Sequence, residues 1–285
     1  WWNSGGRDSS TAALRWIRPP PPPQRSSTSH THPQRSGSQQ LRGCHVPSKK
    51  SGGAALPEEW GSACGKETGA VLYSGLSIRK LRLNTGEERI ETYTINNLKP
   101  RLWTPQHPNL YDFKFRLITG KGTELDCLTE TSGFRTFEVK DGLFYLNGNK
   151  YWLRGGNHIP FALAPNDENL ANTFMQLMKA GNIDVTRTHT TPWNKLWMTA
   201  ADRNGIGISF EGTWSWLMIH STPIPDCRLL EMWRNEFLGL LKKYRNHPSL
   251  LFWTVNNEMK FYDNDKTLRL ISQMHKAITI IQFKL

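Results

Sequence analysis

From Tyr151 to Ile280 the chain alternates short apolar segments with amphipathic ones four times, and this rhythm limits the fold more than any other feature. Tyr151–Arg154 can lead into a first strand, and Ile183–Thr188, Ile206–Phe210 and Leu250–Val255 have the length and the apolar content of strands. Glu168–Ala180, Asn194–Arg203, Leu229–Tyr244 and Leu268–Ile280 follow them in turn as helices. In the first helix Leu170, Phe174, Leu177 and Met178 form a stripe at three- and four-residue spacing. In the third the stripe is Leu230, Trp233, Phe237, Leu240, Leu241 and Tyr244. Leu250–Val255 is almost continuously apolar, as a parallel strand covered on both faces should be. Four β/α units in succession fit half of a (β/α)8 barrel or a doubly wound sheet. Neither GxGxxG nor GxxxxGK[ST] occurs, which removes the main positive sign of the doubly wound alternative. Residues 140–285 are therefore expected to form the N-terminal half of a TIM-barrel domain.

The preceding residues, 71–139, have a different period. Val71–Ile78, Glu88–Ile95, Leu110–Leu117 and Thr123–Thr129 are short and separated by turn residues such as Asn84-Thr85-Gly86. Tyr111, Phe113, Phe115 and Leu117 alternate with Asp112, Lys114 and Arg116, the signature of a strand with one buried face. This is antiparallel structure, expected as part of a sandwich of two sheets. Phe134–Val139 alternates again, Asp141-Gly142 makes a turn, and Asn147-Gly148 between Leu143–Leu146 and Lys150–Leu153 is a strong hairpin signal. The hairpin is expected to close the bottom of the domain that follows.

Residues 1–70 read as a disordered basic, Pro-rich segment. Pro19 to Pro23 run together, and up to Lys50 eight Lys and Arg face one acid, Asp8. Most of the formal net charge of +12 thus lies in this segment and says little about the folded part. A nucleic-acid partner is not expected, because no shaped basic face accompanies the charge. No run of eighteen apolar residues is present, so no membrane helix is expected either. Cys44, Cys64, Cys127 and Cys227 lack CxxC or metal-like spacing and read as free thiols. No metal or other cofactor is expected.

Chemistry in a barrel sits at the C-terminal ends of its strands. Polar residues gather at those positions: Asn157 and His158 after the first strand, Arg187 and His189 after the second, Glu211 after the third, and Asn256, Asn257 and Glu258 after the fourth. Holding a carboxylate at a rigid strand end beside a core is costly without partners, which singles out Glu258. Trp193, Trp197, Trp214 and Trp216 cluster in and after the second and third units, and flat rings of this kind can stack on a sugar.

These residues resemble glycoside hydrolase family 2, the family of β-galactosidases, β-glucuronidases and β-mannosidases. The likeness is carried by Leu102–Tyr111, Gly133-Phe134-Arg135, Phe144–Gly148, Arg154–His158, Arg245–Ser249, Trp253 and Asn257-Glu258, in that order. It implies that residues 71–139 are a partial immunoglobulin-like β-sandwich, and it implies hydrolysis of β-linked O-glycosides with retention. Glu258 would be the general acid and then base, and a second carboxylate would attack the anomeric carbon. That nucleophile comes from a later barrel strand in the family, and no residue of this chain is assigned to it, so the chain alone is expected to be inactive. Asn257 would bond the sugar 2-hydroxyl. Arg187, His189, His158 and Trp214 would line the sugar subsite. Glu211 resembles an acid that in some relatives lies near a metal. The spacing Arg187-Thr188-His189 is one residue shorter than the family's pattern. The alternative reading is a non-catalytic carbohydrate-binding module.

Overall fold

The computed structural model describes residues 12–15, 55–65, 71–73, 79–82, 92–95, 98–158, 160–189, 191–212, 227–255 and 257. Eight strands belong to the antiparallel part: β1 Ala12–Arg15, β2 Ala55–Gly65, β3 Val71–Tyr73, β4 Arg79–Arg82, β5 Thr92–Ile95, β6 Tyr111–Ile118, β7 Glu124–Ser132 and β8 Phe137–Lys140. A five-stranded sheet runs β3-β2-β6-β7 with β4 also paired to β2, and β1 pairs with β5. Together they form a small antiparallel β-sandwich. β2 lies ahead of the expected boundary at Val71, and its residues 55–65 supply a central strand of the sheet. Its Pro57, Gly61 and Gly65 mask the strand pattern, and cross-strand pairing with β6 overrides local propensity. In β6 the alternation holds at Tyr111 and Phe113, which are buried and pack edge-on against Phe134.

β8, β9 Leu143–Leu146 and β10 Asn149–Lys150 form a meander. Both of its turns have two residues with positive φ, Asp141 and Gly142 at 51° and 73° and Asn147 and Gly148 at 52° and 77°. These turns match the twist of the flanking strands. Phe137 and Phe144 stack on each other and meet Phe252 edge-on, so the meander does close the base of the following domain.

The second domain is a four-stranded parallel sheet in the order β11 Gly155–Asn157, β12 Val185–Arg187, β13 Gly207–Glu211, β14 Leu250–Thr254. Helices α1 Glu168–Ala180, α2 Lys195–Asn204 and α3 Cys227–Tyr244 connect them, the architecture of a partial β/α barrel. Residues 151–154 lead from the hairpin into the first parallel strand, as expected. Asp184 N bonds to Arg154 O, and pairing proper starts at Gly155 opposite Val185. In α1 the buried stripe is Ala171, Met175 and Met178, whereas Leu177 is largely exposed. Leu170 and Phe174 pack against the same core, and Phe174 meets Trp197 of α2, so Leu177 alone of the expected stripe faces outward. In α3, Trp233, Phe237, Leu241 and Tyr244 are buried as anticipated. The fourth predicted helix lies outside the described residues.

Asp167 and Asn194 cap α1 and α2 by accepting from Leu170 N and Trp197 N. α2 ends on Gly205, whose φ of 70° requires glycine and whose missing side chain leaves room for Pro105 O. That carbonyl belongs to the segment that seats the sandwich on the barrel. Trp103 is fully buried, and its Nε1 donates to Asp202 O at 2.9 Å. Arg135 donates to Pro248 O at 3.1 Å and to Leu250 O, so a buried guanidinium ties the link between the domains to the base of β14. Burial lowers its pKa to about 10.

Candidate active site

The parallel register puts the strand ends on one rim. Asn157 pairs with Arg187, Arg187 with Ser209, and Glu211 with Thr254. Side chains alternate across each strand, so Ile208 and Phe210 enter the helix-facing core while Ser209 and Glu211 face the barrel interior. Ser209 Oγ and Thr254 Oγ1 share a hydrogen at 2.8 Å on that inner side.

Glu211 is completely buried, and its Oε2 accepts from Arg187 Nε at 2.9 Å. Arg187 Nη2 donates to Asn257 Oδ1 at 2.6 Å. Thr188, also buried, accepts from Glu211 N at 3.0 Å and fixes the backbone that carries the carboxylate. The structure thus brings together Arg187, Glu211 and Asn257, three residues from three strand ends. A buried carboxylate is tolerable here because its counter-charge is bonded to it directly. Among the described residues Glu211 Oε1, Asn257 Nδ2 and His189 Nδ1 are buried without a hydrogen-bond partner. Orphaned polar atoms at this density mark a place where a polar ligand or a further side chain belongs.

His189 follows the same strand and has φ 40°, a conformation that a residue with a Cβ rarely adopts. Outliers of this kind gather at functional sites. His158 is placed differently from the expectation of a substrate contact. Its Nδ1 shares a hydrogen with Thr186 Oγ1 at 2.7 Å, and its ring meets Phe174 of α1 edge-on. It is the residue after Asn157, so strand alternation turns it to the helix layer. Burial lowers its pKa, against a smaller opposite effect of the Gly156 carbonyl, which keeps the ring neutral.

The aromatic reading needs a similar correction. Trp193 and Trp197 are buried among Phe161 and Phe174 in the helix core and present no face to a sugar. Trp197 lies on α2 and packs there against Phe174 of α1, with Trp193 beside it. Trp214, Trp216 and Glu258 lie outside the described residues. Among the described residues no group of three or more His, Cys, Asp or Glu could hold a metal ion, and Glu211 is instead bonded to Arg187. Ser209 and Thr254 were not anticipated as rim residues; their only sequence sign is a hydroxyl interrupting an apolar strand.

This arrangement, a parallel β/α sheet with a buried polar cluster at its strand ends beside an antiparallel sandwich, defines a partial β/α-barrel protein with an appended sandwich. The profile "Glycosyl hydrolases family 2, TIM barrel domain" matches residues 137–283, and "Glycosyl hydrolases family 2" matches residues 65–135. The chain belongs to glycosyl hydrolases family 2. A β-galactosidase of Priestia megaterium is 27% identical over 191 residues, which are 62% of this chain and 18% of that protein. Among solved structures, Bacteroides uniformis β-glucuronidase superposes with TM-score 0.68 at 22% identity, over 80% of this chain and 29% of the other. A family 2 member from Bacteroides cellulosilyticus gives TM-score 0.65 at 20% identity, over 81% of this chain and 30% of the other. The chain thus spans roughly a fifth to a third of the length of these relatives, and the solved structures show a shared fold. No helix among the described residues is long and apolar enough to cross a membrane.

Proposed function

We propose that this chain supplies the acid/base side of a retaining β-glycosidase site. The observation that carries the reading is the Arg187–Glu211–Asn257 cluster, built at the strand ends of a family 2 barrel and immediately before Glu258. Glu258 protonates the glycosidic oxygen as the bond to the leaving group breaks. A carboxylate outside the residues assigned here forms the glycosyl-enzyme bond. Glu258 then takes a proton from the water that cleaves it. Retention requires the two carboxyl groups to stand about 5 Å apart, close enough for the nucleophile's charge to hold Glu258 protonated. Asn257 and Arg187 orient the sugar, with His189 and Trp214 beside them. No cofactor enters this mechanism.

An uncharged hexose such as galactose fits the site better than a uronate. Among the described residues Arg187 is the cation of the cluster, and Glu211 already neutralises it. A uronate carboxylate would need a cation of its own. The β-galactosidase of Priestia megaterium points the same way.

The test is hydrolysis of aryl β-D-galactoside and aryl β-D-glucuronide by the chain, alone and mixed with a separately produced C-terminal barrel half from a family 2 relative, each with Glu258→Gln as control. Galactoside turnover that Glu258→Gln abolishes supports the proposal. Turnover of the glucuronide in preference would refute the sugar assignment. Sugar binding that survives Glu258→Gln, with no turnover in any mixture, would favour a carbohydrate-binding module.

A further inference from the structure

Glu211 does more in this structure than neutralise a charge. Its Oε2 takes the Nε–H of Arg187 at 2.9 Å, while Nη2 of the same guanidinium reaches Asn257 Oδ1 at 2.6 Å. Guanidinium is planar and can only donate, so the two bonds have a fixed relation to each other. With Nε anchored on Glu211, Nη2 has one direction left in which to point, and the amide of Asn257 must answer with its oxygen. The choice between the two orientations of that amide is thereby made by Arg187. Its Nδ2 is turned away from Arg187, buried and without a partner among the described residues.

We propose that Glu211 is a positioning residue that acts through Arg187 to lock the Asn257 amide, so that this position offers the sugar a hydrogen-bond donor and not an acceptor. The proposal rests on the glycosidase reading for the identity of the ligand, but the relay itself is a property of the unliganded chain. It has a consequence for specificity: the sugar group that meets Asn257 has to accept a hydrogen bond, which a hydroxyl oxygen or a fluorine does and an ammonium does not. A buried donor left unpaired by the wrong group is costly, so the discrimination is sharp.

The experiment is NMR of the full chain labelled with 15N at asparagine and arginine, with the Asn257 side-chain amide assigned by its disappearance in Asn257→Asp. Glu211→Gln is expected to shift that amide pair and to raise its solvent exchange about tenfold. Asp184→Asn removes the carboxylate that pairs with Arg154 at the opposite end of the sheet, and is expected to leave the pair where it is. If Glu211→Gln does not fold, Arg187→Lys breaks the same relay one link later and is expected to move the same signals. An Asn257 amide that stays unmoved in a folded Glu211→Gln or Arg187→Lys chain overturns the proposal. The readout needs no turnover, so an inactive chain with an intact relay would refute only the functional reading.

Discussion

Gly205→Ala tests the claim that the sandwich link and the barrel are one packed unit. The residue has φ 70°, and a Cβ there would stand 2.2 Å from Pro105 O and 2.9 Å from its carbonyl carbon. The left-handed backbone costs alanine about 1–2 kcal/mol. The clash is more than an ångström inside an ordinary contact of about 3.5 Å. Relieving it displaces the backbone at Pro105, two residues from the buried Trp103 and bonded to Lys179. Overpacking of this kind costs about 1–3 kcal/mol more, for a total near 2–5 kcal/mol. Gly142→Ala supplies the control, because φ is 73° and nothing lies within 4 Å of the added carbon. It should carry the backbone cost alone, about 1–2 kcal/mol. Urea unfolding of both variants, followed by tryptophan fluorescence, should separate their midpoints by about 0.7 M, given a difference of about 2 kcal/mol and a slope of about 3 kcal/mol per molar. Equal midpoints would show that the Pro105 segment yields freely, and the account of the interface would be wrong.

Arg187→Met should destabilise the chain by about 3–5 kcal/mol, since it strands the Glu211 carboxylate in a site without water. The double variant Arg187→Met/Glu211→Leu should recover much of that loss in the same urea assay, and strict additivity would refute the pairing. Trp103→Phe keeps a ring but deletes the donor to Asp202 O, and calorimetry should register a loss of about 1–3 kcal/mol. For His158 the sign follows from its lowered pKa: the folded state binds fewer protons than the unfolded one near the usual histidine value. Its contribution is therefore complete above about pH 6.5 and shrinks as pH falls from there toward the folded value. Stability measured from pH 7 down to 5 should fall more steeply in the wild type than in His158→Gln, and parallel profiles would place the ring in water.

Local pattern was enough to determine the class of the fold. Asp141-Gly142 and Asn147-Gly148 specify two-residue turns because few other residues accept positive φ twice in succession. The β/α alternation specifies a parallel sheet because a crossover helix is what lets successive strands run in one direction. Leu250–Trp253 is continuously apolar, as a strand covered on both sides should be. Arg187 and Asn257 were legible as rim residues for the same reason, since polar side chains that end apolar strands fall on one rim.

Tertiary packing decided the rest. Ala55–Gly65 is a poor strand by composition and becomes one because β6 offers it partners on one edge and β3 and β4 on the other. Trp193 and Trp197 have the same rings whether they meet a sugar or a helix, and only the approach of α1 to α2 buries them. His158 and Asn157 are neighbours in the chain, and the pleat of β11 sends them to opposite layers. The bond from Glu211 to Arg187 spans 24 residues and the bond from Arg187 to Asn257 spans 70. No periodicity in the sequence encodes such contacts, because strand register and the planar reach of one guanidinium create them.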